Sequence, residues 1–133
     1  MREHFETVVL DSQGMSTWLA QDRKMLAMMQ AFHGMGTDVV INANTIVEIS
    51  HRRMNVPRLN WALSRIKVDA VTADLAKEAA TLLKEVGLHG HKYAIDATVA
   101  QTALRQPGPV ALITSDLDDM SRLCGDRIRV ISV

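Results

Sequence analysis

Four carboxylates stand where carboxylates are uncommon. Asp11 closes the apolar run "TVVL", and Glu48 sits inside "TIVEI". Asp96 lies within "KYAIDATVAQTA", and Asp116 follows "VALIT" after one intervening serine. Asp96 is three residues before Val99 and four before Ala100, spacings that share one face of a helix. Its carboxylate therefore faces the packed side, where an uncompensated charge costs several kcal/mol or more. Two readings of Asp96 stay open: a hydrogen-bonded structural aspartate, with Lys92 four residues earlier as a partner, or a metal ligand.

Each of the other acids also has a plain structural role. Asp11 can end a strand in a turn. Asp116 can cap a short helix, with Asp119 in its first turn. Glu48 can pair with Arg52 four residues on. The set weighs differently from its members. Two carboxylates about 4 Å apart repel by about 4 kcal/mol at an effective dielectric near 20. Four together must take up protons or a cation. An all-oxygen ligand set selects a hard ion, Mg²⁺ or Mn²⁺, and carboxylate-held Mg²⁺ commonly serves phosphate chemistry.

The elements around these residues bring them to one place. "TVVLD" (7–11) reads as a buried parallel strand. Helices are expected over about 15–20 and 22–32, the second with Met25, Met28, Met29 and Phe32 on one stripe. "DVVIN" (38–42) is a second strand, and Asn44 or Thr45 caps a helix running to about Arg53. "RLNWALSRI" is helical and "KVDAVT" a short strand. A long helix starts at Thr72 or Asp74 and ends at Val86, closed by Gly87. "HGHK" reads as a turn before the Asp96 helix, which "QPGPV" ends. "VALIT" (110–114) is a strand, "SDLDDMSRLC" a short helix and "IRVISV" the final strand. Strands alternating with helices predict an α/β/α sandwich with a mainly parallel sheet. Ligand sites in such sheets lie at the C-terminal strand ends, where Asp11 and Asp116 emerge and where the Glu48 and Asp96 helices begin.

At 133 residues the chain is expected to be one domain, 1–133, long enough to bury a core. The formal net charge of +0 gives no global attraction to nucleic acid, which leaves any such contact to local cations. The single cysteine, Cys124, excludes an internal disulfide and a cysteine-rich zinc site. "HGH" (His89, His91) has no third ligand in view and reads as surface. No apolar run reaches membrane-spanning length, and "MREHFETVVLD" has no signal-peptide apolar region, so the cytoplasm is the expected compartment. Trp18 and Trp61 read as packing residues before base-stacking ones.

"VVLDSQG", "TIVEIS", "KYAIDATVAQTAL" and "LITSDLDDM" resemble, in order and spacing, the four acidic motifs of PIN domains. The resemblance covers nearly the whole chain, and most PIN domains of this length are the VapC-type toxin halves of bacterial toxin–antitoxin pairs. It implies a Mg²⁺-dependent ribonuclease in which Asp11, Glu48, Asp96 and Asp116 are the catalytic, metal-binding acids, with Asp119 a fifth. It further implies an RNA substrate, a cognate antitoxin and a homodimer. Ser12 matches the hydroxyl residue that follows the first aspartate; Gln13 and Met120 depart from the pattern. Arg52 and Lys92, with Ser12 and Thr114, are the candidate substrate contacts; Arg53 reads as a solvated helix face, and Ser115 stands beside Thr114. The alternatives are a phosphohydrolase of the haloacid dehalogenase type, against which Gln13 stands where that family needs a second acid, and a non-catalytic PIN-like binding module.

Overall fold

In a computed structural model the described residues are 3–133; Met1 and Arg2, the start of the segment read above as free of a signal peptide, lie outside them. Five strands form one sheet: β1 (Thr7–Leu10), β2 (Asp38–Asn42), β3 (Lys67–Asp69), β4 (Val110–Thr114) and β5 (Arg129–Ser132). Their order is β3-β2-β1-β4-β5 and every neighbouring pair is parallel. β1 and β4 are buried at every residue, which is why their sequences are continuous apolar runs without alternation. The outer strands β3 and β5 are more exposed, as sheet edges are.

Helices cover both faces. α1 (Ser12–Leu19), α2 (Arg23–Gly34), α3 (Ala43–Ile49) and α4 (Val56–Leu63) pack on one; α5 (Ala73–Val86), α6 (Gly90–Leu104) and α7 (Leu117–Cys124) pack on the other. Alternation within β1 divides the two cores. Val8 and Leu10 join Met15, Met25 and Ile41 on the first face. Val9 joins Ala97, Ala100 and Met120 on the second. The result is the α/β/α sandwich with a parallel sheet that the sequence predicts. Among the described residues no helix is long and apolar enough to cross a membrane.

Four local details depart from expectation, each for a visible reason. α1 starts at Ser12, not Met15, because Asp11 is its N-cap and accepts the Gly14 N–H at 2.9 Å. α3 stops at Ile49 and does not reach Arg53: Ser50 turns out of the helix (φ −72°, ψ 135°) while its hydroxyl donates to the Ile46 carbonyl at 2.7 Å. "HGHK" is the first turn of α6, capped by the His89 ring, and the helix kinks at Tyr93 (φ −112°, ψ 16°). The expected α2 stripe is fully buried only at Met25 and Phe32, with Met28 and Met29 half-buried at its margin; exposed large apolar side chains include Leu26, Val47, Val56 and Trp61. The expected α5 boundaries hold, with Thr72 as N-cap and Gly87 closing it at φ +70°, a conformation that glycine adopts without strain.

Candidate functional site

The sheet order sets the location. From β1 the chain steps outward through β2 to β3, then crosses back to place β4 on the other side of β1. The direction of winding therefore reverses between β1 and β4, and the crevice beyond their C-terminal ends is the topological switch point. Leu10 lies opposite Ile113 across that junction. Asp11 leaves β1 one residue later, and Asp116 leaves β4 through Thr114 and Ser115.

Asp116 is the N-cap of α7 and accepts the Asp119 N–H at 3.4 Å. The capping role read from the sequence at Asp116 is therefore present, Asp11 adds a cap where only a strand-ending turn was expected, and the two caps aim the carboxylates. Oxygens of Asp96, Asp116 and Asp119 lie within 4.8 Å of one another. Asp116 is exposed, and Asp96 and Asp119 are half-buried. Asp11 sits deeper, at 6% exposure. Glu48, on the last turn of α3, is exposed and, among the described residues, forms no salt bridge with Arg52 or any other cation.

Charge on one acid is felt by the others. The Asp96 carboxyl is pushed up to about 6, first by burial and then by Glu48, Asp116, Asp119 and Asp11. No hydrogen bond offsets this, so the structural-aspartate reading of Asp96 finds no partner among the described residues. Burial raises Asp11 too, opposed by the Thr114 hydroxyl and by the Gly14 and Gln13 N–H groups, with Glu48 adding a further rise. Asp119 is raised by desolvation and by Asp116 opposite it, while Lys92 and Arg122 act the other way.

The donor set fits a hard divalent cation. Three carboxylates converge, two more lie within electrostatic reach, and no histidine or cysteine joins the three. The repulsion among these neighbouring carboxylates, which raises Asp96, Asp11 and Asp119, would be relieved by a cation among them. Asp119, the fifth of the expected ligands, falls inside the tight group, and Asp11 and Glu48 lie within electrostatic reach of it through Asp96.

The candidate substrate contacts separate. Lys92 is exposed near the acids, its ammonium 5.2 Å from the Tyr93 ring centre. Arg52 is exposed on the loop after α3, and Ser12 opens α1 beside Asp11. Thr114 is fully buried, at the end of β4. Its hydroxyl accepts the Asp116 N–H at 2.9 Å and bonds the Asp11 side chain, so it joins the two strand-end acids. His89 Nδ1 accepts the His91 N–H at 3.2 Å, a capping role. Trp18 is buried and Trp61 half-exposed, their rings tilted at 5.9 Å. They line a cavity of about 480 Å³ with Leu26 and Arg58, to which none of the five acids contributes.

What composition and spacing did not reveal is a set of buried amide and hydroxyl groups between α3 and α6. Asn42, Thr98 and Thr102 are at most 9% exposed and hydrogen-bonded to one another or to Asn44. Asn42, not Asn44 or Thr45, caps α3. The signal available was the "NANT" cluster at a strand-to-helix corner.

No family model matches the chain, and no curated protein matches it. Solved structures do. VapBC2 from Rickettsia felis, bound to a DNA fragment from their promoter, aligns with a TM-score of 0.74 over 96% of this chain and 98% of that one, at 15% identity. A toxin–antitoxin complex from Klebsiella pneumoniae aligns with a TM-score of 0.68 over 91% and 94%, at 19% identity. FitAB bound to an IR36 DNA fragment aligns with a TM-score of 0.64 over 94% of each chain, at 16% identity. At these identities the likeness is one of fold: the chain has the PIN-like α/β/α fold found in toxin–antitoxin complexes.

Proposed function

We propose that this protein is the ribonuclease toxin of a toxin–antitoxin pair, hydrolysing RNA phosphodiesters with Mg²⁺ or Mn²⁺. The observation that carries the reading is the convergence of Asp96, Asp116 and Asp119 within 4.8 Å, beside Asp11 and Glu48, at the switch point of a parallel sheet. The fold shared with toxin–antitoxin proteins supports the biological setting.

A bound divalent cation supplies a water acidic enough to lose its proton near neutral pH and a counter-charge for the phosphate. The chain's own residues do the rest. Asp96, Asp116 and Asp119 hold the ion, with Asp11 and Glu48 completing its surroundings. Thr114 ties the Asp116 backbone N–H to the Asp11 side chain. Lys92 and Arg52 attract the RNA backbone through local charge, which the neutral chain as a whole does not supply. Ser12 donates to phosphate oxygen from the first turn of α1. No side-chain nucleophile is required.

The test is cleavage of single-stranded RNA by purified protein in Mg²⁺ or Mn²⁺, with EDTA and an Asp116→Asn variant as controls. Cleavage that persists in EDTA, or that survives loss of Asp116, overturns the assignment.

Assembly follows from the same reading. Leu26 and Val56 are 41% and 54% exposed, and Trp61 is 51% exposed. Apolar surface of this kind marks an interface, and we assign it to a homodimer or an antitoxin. Light scattering that finds only monomer at micromolar concentration, with a cognate antitoxin that leaves Trp61 fluorescence unchanged, removes both.

A further inference from the structure

Two carboxylates that repel do not stay together unless the backbone holds them. Glu48 adds to the rise at Asp96, yet α3, which carries it, is only seven residues long. The N-terminal corner of α3 is tied to α6 at two points. Asn42 Nδ2 donates to the Thr102 hydroxyl at 2.9 Å, and Asn44 Nδ2 donates to the Thr98 hydroxyl at 3.3 Å. Thr98 and Thr102 stand one turn apart, so the two ties are parallel rungs between the helices.

The Thr98 and Thr102 hydroxyls and the Asn42 amide are each engaged twice. The Thr102 hydroxyl donates to the Thr98 carbonyl, and the Thr98 hydroxyl donates to the Ile95 carbonyl, both at 2.7 Å. Asn42 Oδ1 accepts the Asn44 N–H at 2.8 Å and so caps the helix that Asn42 Nδ2 anchors. Asn42 and Thr102 are 0% and 1% exposed, which shields the bonds from competing water. Sliding α3 along α6 would break both ties and orphan several polar groups at once, the Asn42 amide and Thr102 hydroxyl among them in full burial.

We propose that Asn42, Asn44, Thr98 and Thr102 are positioning residues that hold Glu48 within reach of Asp96 against their mutual repulsion and so preform the cation site. The inference rests on reading the acids as that site. Glu48 lies four residues beyond Asn44, on the same face of α3, and Asp96 two residues before Thr98 on α6. Residues that orient ligands without touching the ion commonly change metal affinity by about 10–100-fold when removed.

The experiment measures Mn²⁺ affinity by calorimetry on Thr98→Val and Thr102→Val, at a temperature where circular dichroism shows each variant folded. Affinity should fall about tenfold or more. Thr98→Ser and Thr102→Ser keep the hydroxyl and should bind near the wild-type level. Thr37→Val is the control for stability alone. Thr37 is another buried threonine, whose hydroxyl donates to the Phe5 carbonyl at 2.7 Å beside the opposite end of β2. It should lose comparable melting temperature and no Mn²⁺ affinity. If the valine variants bind Mn²⁺ as the wild type does, or the control loses affinity equally, the positioning role is overturned while the proposed function stands. A wild-type protein that binds no Mn²⁺ overturns both.

Discussion

The Thr114 hydroxyl accepts the Asp116 N–H at 2.9 Å while bonding the Asp11 carboxylate. One buried side chain thus links the acids at the ends of two adjacent strands. Thr114→Val keeps the shape and removes both bonds. It should cost about 1–3 kcal/mol, the range for leaving buried polar partners unmet. Thr114→Ser should cost much less. Urea denaturation distinguishes them, and equal midpoints for the two variants would mean that the hydroxyl holds nothing.

Asp96 predicts an unusual pH response in the metal-free protein. Its folded-state carboxyl is raised from 3.8 to about 6, so the folded form keeps a proton that the unfolded chain gives up sooner. Its contribution to stability is therefore greatest below about 4, declines as pH rises toward 6, and stays lost above that. Asp96→Asn removes the charge. In EDTA its melting temperature should match or exceed the wild type at pH 8, with the advantage vanishing near pH 4. A variant several degrees less stable at pH 8 would show that the carboxylate is held by bonds that stabilise the fold.

Cation binding should register as stability even without substrate. Mn²⁺ at about 100 times its dissociation constant adds about 2.7 kcal/mol to a protein that binds it only when folded. The melting temperature of the wild type should rise by roughly 5–10 °C on that basis. The double variant Asp116→Asn/Asp119→Asn removes two of the three converging carboxylates and should show no rise. Equal shifts in both proteins would place any Mn²⁺ elsewhere.

Thr45 offers a different test. Its hydroxyl is fully buried on α3 and, among the described residues, has no hydrogen-bond partner. Replacing such a group by an apolar one of the same shape recovers the cost of its desolvation, so Thr45→Val should be neutral or more stable by about 1 kcal/mol. A clear loss of stability would mean that the hydroxyl is satisfied in solution. A gain in stability accompanied by loss of RNA cleavage would identify a group retained for activity.

How much of this was legible in the sequence depended on how many jobs each residue does. "DVVIN" and "VALIT" became strands at the expected residues because burial on both faces demands unbroken β-branched and apolar runs. Gly87 ended α5 as expected because a left-handed residue there favours glycine. Asp11 misled the reading of α1 because it ends a strand, caps a helix and joins the acid cluster at once. His89 hid the start of α6, since a histidine ring is not among the usual caps. The acids could be gathered from strand ends and helix starts alone. The bracket of Asn42, Asn44, Thr98 and Thr102 could not, because Asn and Thr at these spacings are equally at home in a loop.

The pairing of β1 with β4 has a consequence for the timing of folding. Thr7 bonds the Pro107 carbonyl, a partner 100 residues away in the chain. Asp11 and Asp116 become neighbours only after that long loop closes. Non-local pairing of parallel strands is slow to form, because its entropy is lost before its contacts are gained. During synthesis the ribosome has therefore released Asp11, Glu48 and Asp96 well before the residues that complete the cluster. The repulsion that Asp116 and Asp119 add to the site is deferred until β4 is in place, and a nascent chain that lacks β4 carries Asp11, Glu48 and Asp96 without the centre they help to form.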